Sequence, residues 1–183
     1  MQEQAIGFIE TCSIAAGIAA ADACLKRAAV ELLEARPICP GKFMLLFRGD
    51  MSQVQNALGA GAETAADTLV DQLFLPRVHS SIFTALSLTS QPVHGEALGI
   101  VETVTAAVCI VASDAAAKAA GVNLVEIRLA DGLGGKSFVL MEGTVADVEA
   151  GVAAAVAVVS TQGLLVRKVV ISHLHPAVRE KIL

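Results

Sequence analysis

The 183-residue sequence contains no tryptophan and no tyrosine, and its only aromatic residues are six phenylalanines. Charged residues make up 17% of the chain, and acidic residues outnumber basic ones, which gives a net charge of −5. Nucleic-acid binding needs a basic surface and commonly uses stacking aromatic side chains. The composition therefore excludes a nucleic-acid partner.

Long apolar runs are also missing. The longest run, residues 150–159, is about half of the roughly 20 residues that a membrane-spanning helix needs. The first four residues include an acid and no base, which is not the pattern of a secretory signal. We therefore expect no membrane partner and a cytosolic chain, in which the four cysteines are reduced.

What the chain has in quantity is small and aliphatic residues. Hydrophobic residues make up 55% of the sequence, and the mean hydropathy is +0.66. A chain of this composition with few charges often covers part of its surface with other subunits, so we expect an oligomer.

The sequence is a tandem duplication. Residues 4–36 align with residues 96–128 at a constant offset of 92, with 15 identities in 33 positions. The offset grows to 94 after a two-residue insertion and to 96 near His79 and His175. This repeat predicts a first domain at residues 1–84, a linker at 85–95 and a second domain at 96–183.

Both copies follow the same order of apolar and helical segments. In copy one we predict strands at 5–11, 30–36, 43–47 and 69–75, with helices at 15–29 and over about 16 residues after Asp50. In copy two we predict strands at 97–103, 122–129, 137–142 and 164–171, with helices at 107–120 and 145–160. The caps of the later helices are Asp50 and Thr144. The order β-α-β-β-α-β predicts an α+β, ferredoxin-like domain or a permutation of it.

The segment from Ala130 to Ser137 resembles a phosphate-binding P-loop. Such a loop must open a helix, yet an apolar strand follows here, and copy one has no equivalent loop. We therefore interpret the glycines as those of a tight hairpin turn. No Ser-His-Asp or Cys-His spacing emerges either, so we predict that the chain is not an enzyme.

Three of the cysteines, Cys12, Cys24 and Cys109, lie in or beside apolar segments, and we expect them to be small buried hydrophobes. Cys39 lies in a turn immediately before Pro40 and Gly41, where we expect exposure. One thiolate cannot hold an iron-sulfur cluster, but a cyclic trimer brings three copies of a residue near its axis together.

Two further patterns have ordinary interpretations. His173 and His175 form a potential metal pair, but no acidic or histidine cluster lies near them in the sequence, so we favour a structural or surface role. Glu10 and Glu102 end the first strand of each copy, which fits a general base, a cap or a subunit contact.

Four segments of copy one, with their counterparts in copy two, resemble the bacterial microcompartment shell proteins of the tandem-domain type. These segments are Ala5–Thr11, Ala21–Lys26, Cys39–Phe43 and Leu75–His79. The loop around Cys39 is most similar to that of the iron-sulfur-containing members from propanediol-utilisation compartments.

The resemblance implies a homotrimer whose six domains form a flat pseudo-hexameric tile in a protein shell within the bacterial cytoplasm. It implies other shell proteins as partners and encapsulated redox enzymes as further ones. Lys26 and Lys118 match the family's edge lysine, and Arg77 matches a second edge contact. Copy two has Ser172 and His173 where proline and arginine are expected, which predicts unequal edges.

The resemblance also places the central pore at the loops between the second and third strands of each copy. These loops carry Pro40 and Gly41 in copy one and Asp131, Gly132, Leu133, Gly134 and Gly135 in copy two. It implies that Cys39 of three chains ligates one [4Fe-4S] cluster on the axis, for electron transfer or cluster delivery across the shell. Two alternatives stay open: a tile with a metabolite pore and no cluster, and a ferredoxin-like regulator or ligand-binding trimer that forms no sheets.

Overall fold

A computed structural model describes residues 4–90, 95–160 and 163–182. The chain divides after Val78 into two compact units. The predicted boundary at residue 84 differs from this division, because the segment after Val78 packs within the second unit. Residues 91–94 of the predicted linker lie outside the described residues.

The first unit contains four strands and two helices, close to the predicted bounds. The elements are β1 (Gln4–Thr11), α1 (Ile14–Arg27), β2 (Glu31–Ile38), β3 (Lys42–Asp50), α2 (Met51–Ala65) and β4 (Leu69–Leu75). A single 3-10 turn at Ala66–Thr68 joins α2 to β4.

The second unit repeats this order and has a helix at each end. Its elements are α3 (Ser81–Leu86), β5 (Ala97–Thr103), α4 (Ala106–Ala119), β6 (Asn123–Leu129), β7 (Ser137–Gly143), α5 (Val145–Ser160), β8 (Leu165–Ser172) and α6 (Pro176–Ile182).

Each unit has one antiparallel four-stranded sheet. The strand orders are β2-β3-β1-β4 in the first unit and β6-β7-β5-β8 in the second. The two sheets are therefore equivalent, and the β-α-β-β-α-β order with this pairing is the ferredoxin-like arrangement without permutation. The predicted α+β tandem duplication is confirmed.

The core of the first unit lies between its sheet and its two helices. It is formed by Ala5, Ile9, Ala21, Cys24, Leu45, Phe47, Val54, Ala57 and Leu58. Gly7 in the central strand is required by this packing, since a Cβ there would lie 2.3 Å from the Phe47 ring. Gly99, its counterpart, would place a Cβ 2.8 Å from Met141.

The helices begin at polar caps in three of four comparable cases. Ser13 and Thr105 accept hydrogen bonds from the first turns of α1 and α4, and Thr144 accepts one from Asp147 N as predicted. Asp50 precedes α2 as predicted, but its side chain makes no capping hydrogen bond. Among the described residues, no helix is long and apolar enough to cross a membrane.

The short helices α3 and α6 were not predicted. Each follows a histidine of the repeat: His79 Nδ1 accepts from Ser81 N at 3.3 Å, and His175 Nδ1 accepts from Ala177 N at 3.2 Å. His175 therefore has a structural role at a helix start, as favoured from the sequence.

Candidate functional site

The first candidate loop joins β2 to β3 and presents Cys39. Cys39, Pro40 and Gly41 are all exposed, as expected for the thiol. Gly41 has a φ of +66°, a conformation that glycine adopts without strain. A Cβ at Gly41 would meet nothing within 4 Å, so the space beside this glycine is open.

The second candidate loop, residues 130–136, joins β6 to β7. Gly132, Gly134 and Gly135 have φ values of +67°, +62° and +94°, which explains the concentration of glycine. Lys136 N donates to Leu133 O at 3.2 Å, and Ala130 N donates to Ser137 Oγ at 3.1 Å. The loop leads into a strand and not into a helix, so it is a hairpin turn and lacks the architecture of a P-loop.

A glutamate–lysine pair lies at the base of each loop. Lys42 Nζ lies 2.6 Å from Glu10 Oε1, and Lys136 Nζ lies 3.5 Å from Glu102 Oε2. The pairs are equivalent because β1 and β5 end beside the strands that follow the loops. Glu10 and Glu102 therefore join the end of the first strand to the loop base.

The charges beside the two pairs differ. Asp71 pairs with Glu10 across β1 and β4, whereas Arg167 occupies the matching place opposite Glu102. Desolvation raises the pKa of Asp71, and repulsion by Glu10 raises it further, while Gln72 N–H and Lys42 oppose the change. The base of the first loop therefore carries an extra acid where the second carries a base.

The remaining cysteines divide into two kinds. Cys24 and Cys109 are buried as expected, and burial raises the pKa of their thiols to about 11 and about 12. The expectation that Cys12 is buried is wrong. Cys12 is exposed, because it lies beyond the end of β1 and joins the fold there through its N–H to Thr68 O at 2.9 Å.

The two predicted edge lysines have different surroundings. Lys26 lies 2.6 Å from Asp22, and the two side chains are 75% and 60% exposed. Lys118 lies 2.5 Å from Asp114, whose side chain is 6% exposed and also accepts from His79 N at 2.8 Å. Lys26 is thus a loosely held surface cation, whereas Lys118 pairs with a buried acid.

The second predicted edge position follows the last strand of each copy. Arg77 is exposed and has a φ of +52°, and His173 has a φ of +58°. The two residues occupy the same backbone turn with different side chains. The unequal tile edges expected from this difference stay a prediction.

A family model described as the BMC domain matches residues 5–78 and again residues 97–174. The chain belongs to this family. Both BMC domains have the β-α-β-β-α-β core described above, and α3 and α6 lie outside the matched residues.

The chain is similar over its length to curated shell proteins. It is 45% identical to the bacterial microcompartment shell protein PduT of Citrobacter freundii over 172 residues, which cover 94% of each protein. The shell protein PduA of the same organism matches 84 residues at 36% identity, covering 45% of this chain and 90% of PduA.

Solved structures agree with the family. A microcompartment protein from Desulfitobacterium hafniense superposes with a TM-score of 0.93 at 49% identity, covering 97% of this chain and 98% of that one. The fused permuted hexameric shell protein MSM0275 shares the fold, with a TM-score of 0.65 at 24% identity over 87% and 85% of the chains. The protein is a structural shell protein of a bacterial microcompartment, as predicted.

Sequence reasoning missed the pairing of each strand-end glutamate with the lysine after its loop. The signal was present, because both residues of each pair are identical between the copies at offsets of 92 and 94. The contact was hidden because the strand register that joins them is a property of the folded sheet.

Proposed function

We propose that this BMC-domain protein is a homotrimeric shell tile in which Cys39 of three chains holds one [4Fe-4S] cluster at the central axis. The cluster serves electron transfer or cluster delivery across the shell. Other shell proteins at the tile edges, and encapsulated redox enzymes, are the proposed partners.

The apolar face of α1 is the observation that supports assembly. Ile18 is 56% exposed, whereas its counterpart Ile110 is fully buried. Ile14, Leu25 and Leu32 are likewise exposed, and their counterparts in the second unit, Ala106, Ala117 and Leu124, are buried. The first unit thus presents an apolar surface, whereas the equivalent surface of the second unit is buried.

We propose β8 of the second unit as the surface that this apolar face contacts on a neighbouring chain. Val166, Val169 and Val170 are exposed on this edge strand. A contact between two different surfaces of identical chains is heterologous, and such a contact gives a ring when its rotation closes. Three chains supply the six domains of the proposed tile.

The residues of the first loop fit an iron-sulfur cluster by the chemistry of their donor set. Thiolates are the usual ligands of such clusters, and Cys39 is an exposed thiol on a loop with open space beside Gly41. Within the described residues, a single chain has no group of three His, Cys, Asp or Glu side chains placed to hold a metal. The proposed ligand set therefore requires three chains.

When bound, the cluster supplies one-electron chemistry. The chain's own residues hold the ligand in place: the hairpin fixes Cys39 at its tip, and Glu10 bonds Lys42 at the base. We propose that backbone N–H groups of Gly41 and of Gly132 to Gly135 would donate to cluster sulfides, since such hydrogen bonds tune a cluster's potential.

Iron and acid-labile sulfide analysis with EPR, after anaerobic purification, tests the cluster. We expect about four iron and four sulfide per trimer, lost in Cys39→Ser and retained in the matched control Cys12→Ser, which removes the other exposed thiol. Equal iron and sulfide in the Cys39→Ser protein would refute the assignment. A wild-type trimer that stays free of iron after reconstitution would leave a shell tile with a metabolite pore.

Analytical ultracentrifugation tests the assembly separately. Ile18→Glu places a charge on the exposed α1 face, and we expect it to convert trimers of the 18.8 kDa chain into folded monomers, while Ile18→Leu stays trimeric. A trimeric Ile18→Glu protein would show that this face is not the interface.

A further inference from the structure

Asp114 on α4 binds the segment that follows the last strand of copy one. Its Oδ1 accepts a hydrogen bond from the His79 N–H at 2.8 Å, and its Oδ2 lies 2.5 Å from Lys118 Nζ. The helix that follows His79, α3, packs against α4 and β6. We call residues 79–86 the first tail, which follows copy one in the sequence but lies within the second unit. The tail of copy one therefore completes a contact on copy two.

The repeat contains the same acid and the same N–H a second time, without the contact. Asp22 corresponds to Asp114 at an offset of 92, and His175 corresponds to His79 at an offset of 96. The Asp22 side chain pairs with Lys26 but is 60% exposed, against 6% for Asp114. Within the described part of the chain, the His175 N–H donates to no acceptor. The two groups that are joined in the second unit are thus both open at their second occurrence.

Apolar residues differ between the copies in the same way. We call residues 175–182 the second tail. Ile82 of α3 is fully buried, whereas its counterpart in the second tail, Val178, is 46% exposed. On β6, which α3 contacts, Leu124 is fully buried, whereas its counterpart Leu32 on β2 is 38% exposed. The second tail and the first unit therefore each present an apolar residue whose equivalent is covered.

The second tail is held in place by an arginine. Arg179 of α6 donates to Glu142 Oε1 on β7 and, at 2.9 Å, to Gly95 O, and Glu142 is fully buried. Held in this way, α6 forms one side of a cavity of about 390 Å³ beside Glu126. Val178 does not line this cavity, so its exposed surface is available to another chain while α6 stays on its own unit.

The order of the copies identifies the partner. The first tail reaches copy two because the two copies are consecutive in one chain. After copy two, the next copy in a ring of identical chains is copy one of a neighbouring chain, and such a head-to-tail contact is heterologous. The second tail also begins directly after β8, so a contact made by it extends the interface proposed above.

We propose that the second tail of one chain docks on the first unit of a neighbouring copy, where its His175 N–H donates to the partner's Asp22 and its Val178 packs on the partner's Leu32. This inference rests on the proposed homotrimer, in which three such contacts close the ring. The hydrogen bond has a charged acceptor, which makes it stronger than one between neutral groups, and the apolar pair removes exposed surface from water.

Amide hydrogen exchange of the full-length protein, followed by NMR, tests the hydrogen bond. We expect the His175 N–H to be protected in the trimer and to exchange at least about tenfold faster in Asp22→Ala, because a charged acceptor is lost. The matched control Asp67→Ala removes another exposed acid of the first unit and should leave the protection unchanged. The His79 N–H is the internal reference, since Asp114 should protect it in all three proteins. Equal exchange of the His175 N–H in wild-type and Asp22→Ala trimers would overturn the proposal.

Crosslinking tests whether the tail and its surface come from different chains. In a Cys12→Ser/Cys39→Ser background, which lacks the exposed thiols, a short bismaleimide should link Val178→Cys/Leu32→Cys chains into covalent dimers and trimers. The matched control pair Val178→Cys/Val70→Cys should stay unlinked between chains, because Val70 is also exposed but lies on β4, the opposite edge strand of the first sheet. Linkage within single chains only, or equal linkage of the control pair, would contradict the proposed docking.

Analytical ultracentrifugation of the wild type separates this inference from the proposed trimer. A protein that is monomeric at every concentration would overturn both. A trimer in which the His175 N–H is unprotected, and in which residues 178 and 32 do not crosslink between chains, would overturn the tail contact alone.

Discussion

Lys118 Nζ lies 2.5 Å from Asp114 Oδ2, and this carboxylate also receives the N–H of His79. The equivalent Lys26 pairs with Asp22, whose side chain is exposed. Two lysines identical between the repeats are therefore bound to acids of very different burial. The two proposed edge lysines therefore have different surroundings, although they are identical in the sequence repeat.

The first prediction separates these two lysines. Lys118→Ala should lower the free energy of unfolding by about 1–3 kcal/mol, because it deprives the buried Asp114 of a partner. Lys26→Ala should change it by less than about 0.5 kcal/mol but weaken flat arrays or tubes, since the proposed role of Lys26 lies between tiles. Urea unfolding and electron microscopy measure the two effects, and equal stability losses would contradict the distinction.

Arg179 should be important for stability although it lies near the end of the chain. Arg179→Met leaves the carboxylate of Glu142 buried without its cation, and we expect a loss of about 3 kcal/mol. The double variant Arg179→Met/Glu142→Met should recover most of this loss, because apolar residues of similar volume replace the whole pair. Thermal unfolding of the three proteins checks both statements, and an unrescued double variant would argue against the pair as the cause.

Thiol reactivity should divide the cysteines by burial. In the folded, cluster-free protein at pH 8, Ellman's reagent should modify Cys12 and Cys39 quickly, because both are exposed. Cys24 and Cys109 should react only on unfolding, since burial removes access and raises their pKa. Mass spectrometry of the labelled peptides identifies the sites, and rapid labelling of Cys109 in folded protein would contradict the structure.

The buried thiols also predict alkaline sensitivity. The unfolded chain releases these protons near pH 9.0, while the folded chain retains them up to about pH 11 for Cys24 and about pH 12 for Cys109. The unfolded state then binds fewer protons, so stability falls as pH rises from 9 through this window. The fall in urea midpoint from pH 8 to pH 10.5 should be smaller in Cys24→Ala/Cys109→Ala, but unchanged in Cys12→Ala.

Asp71 predicts a change in stability on the acidic side of neutral pH. Its pKa is raised above 3.8, first by desolvation and then by Glu10, so its ionisation costs stability as pH rises through the folded pKa. Asp71→Asn should therefore raise the melting temperature at pH 7, with an advantage that shrinks as the pH falls towards 3.8. The exposed Asp67 serves as control. An equal gain in melting temperature from Asp67→Asn would show that the effect is not specific to Asp71.

Much of the fold could be predicted from local patterns. The strands at 69–75 and 97–103 and the helix at 145–160 match the structure residue for residue, because alternation, helix composition and the cap at Thr144 all act locally. The helices α3 and α6 escaped prediction because helices of six or seven residues are unstable alone and depend on tertiary contacts. The repeated histidines before them were the available signal.

Only part of the candidate site could be predicted from the sequence. The exposure of Cys39 followed from the turn residues beside it, whereas the exposure of Cys12 did not follow from its apolar neighbours, because burial depends on where the strand ends relative to the helices. The cavity beside Glu126 could not be predicted from the sequence. It depends on α6 being held over the sheet by Arg179, a contact between residues far apart in sequence.

By itself, the sequence determined the duplication, the order of elements and the family, because identities at fixed offsets and local periodicity survive without coordinates. Tertiary structure alone decided the strand order, the pairing of Glu10 with Lys42 and of Glu102 with Lys136, and which face of each repeat is covered. The physical reason is that these features arise from contacts between distant segments. Identical residues of the two copies, such as Ile18 and Ile110, therefore differ in burial once the chain is folded.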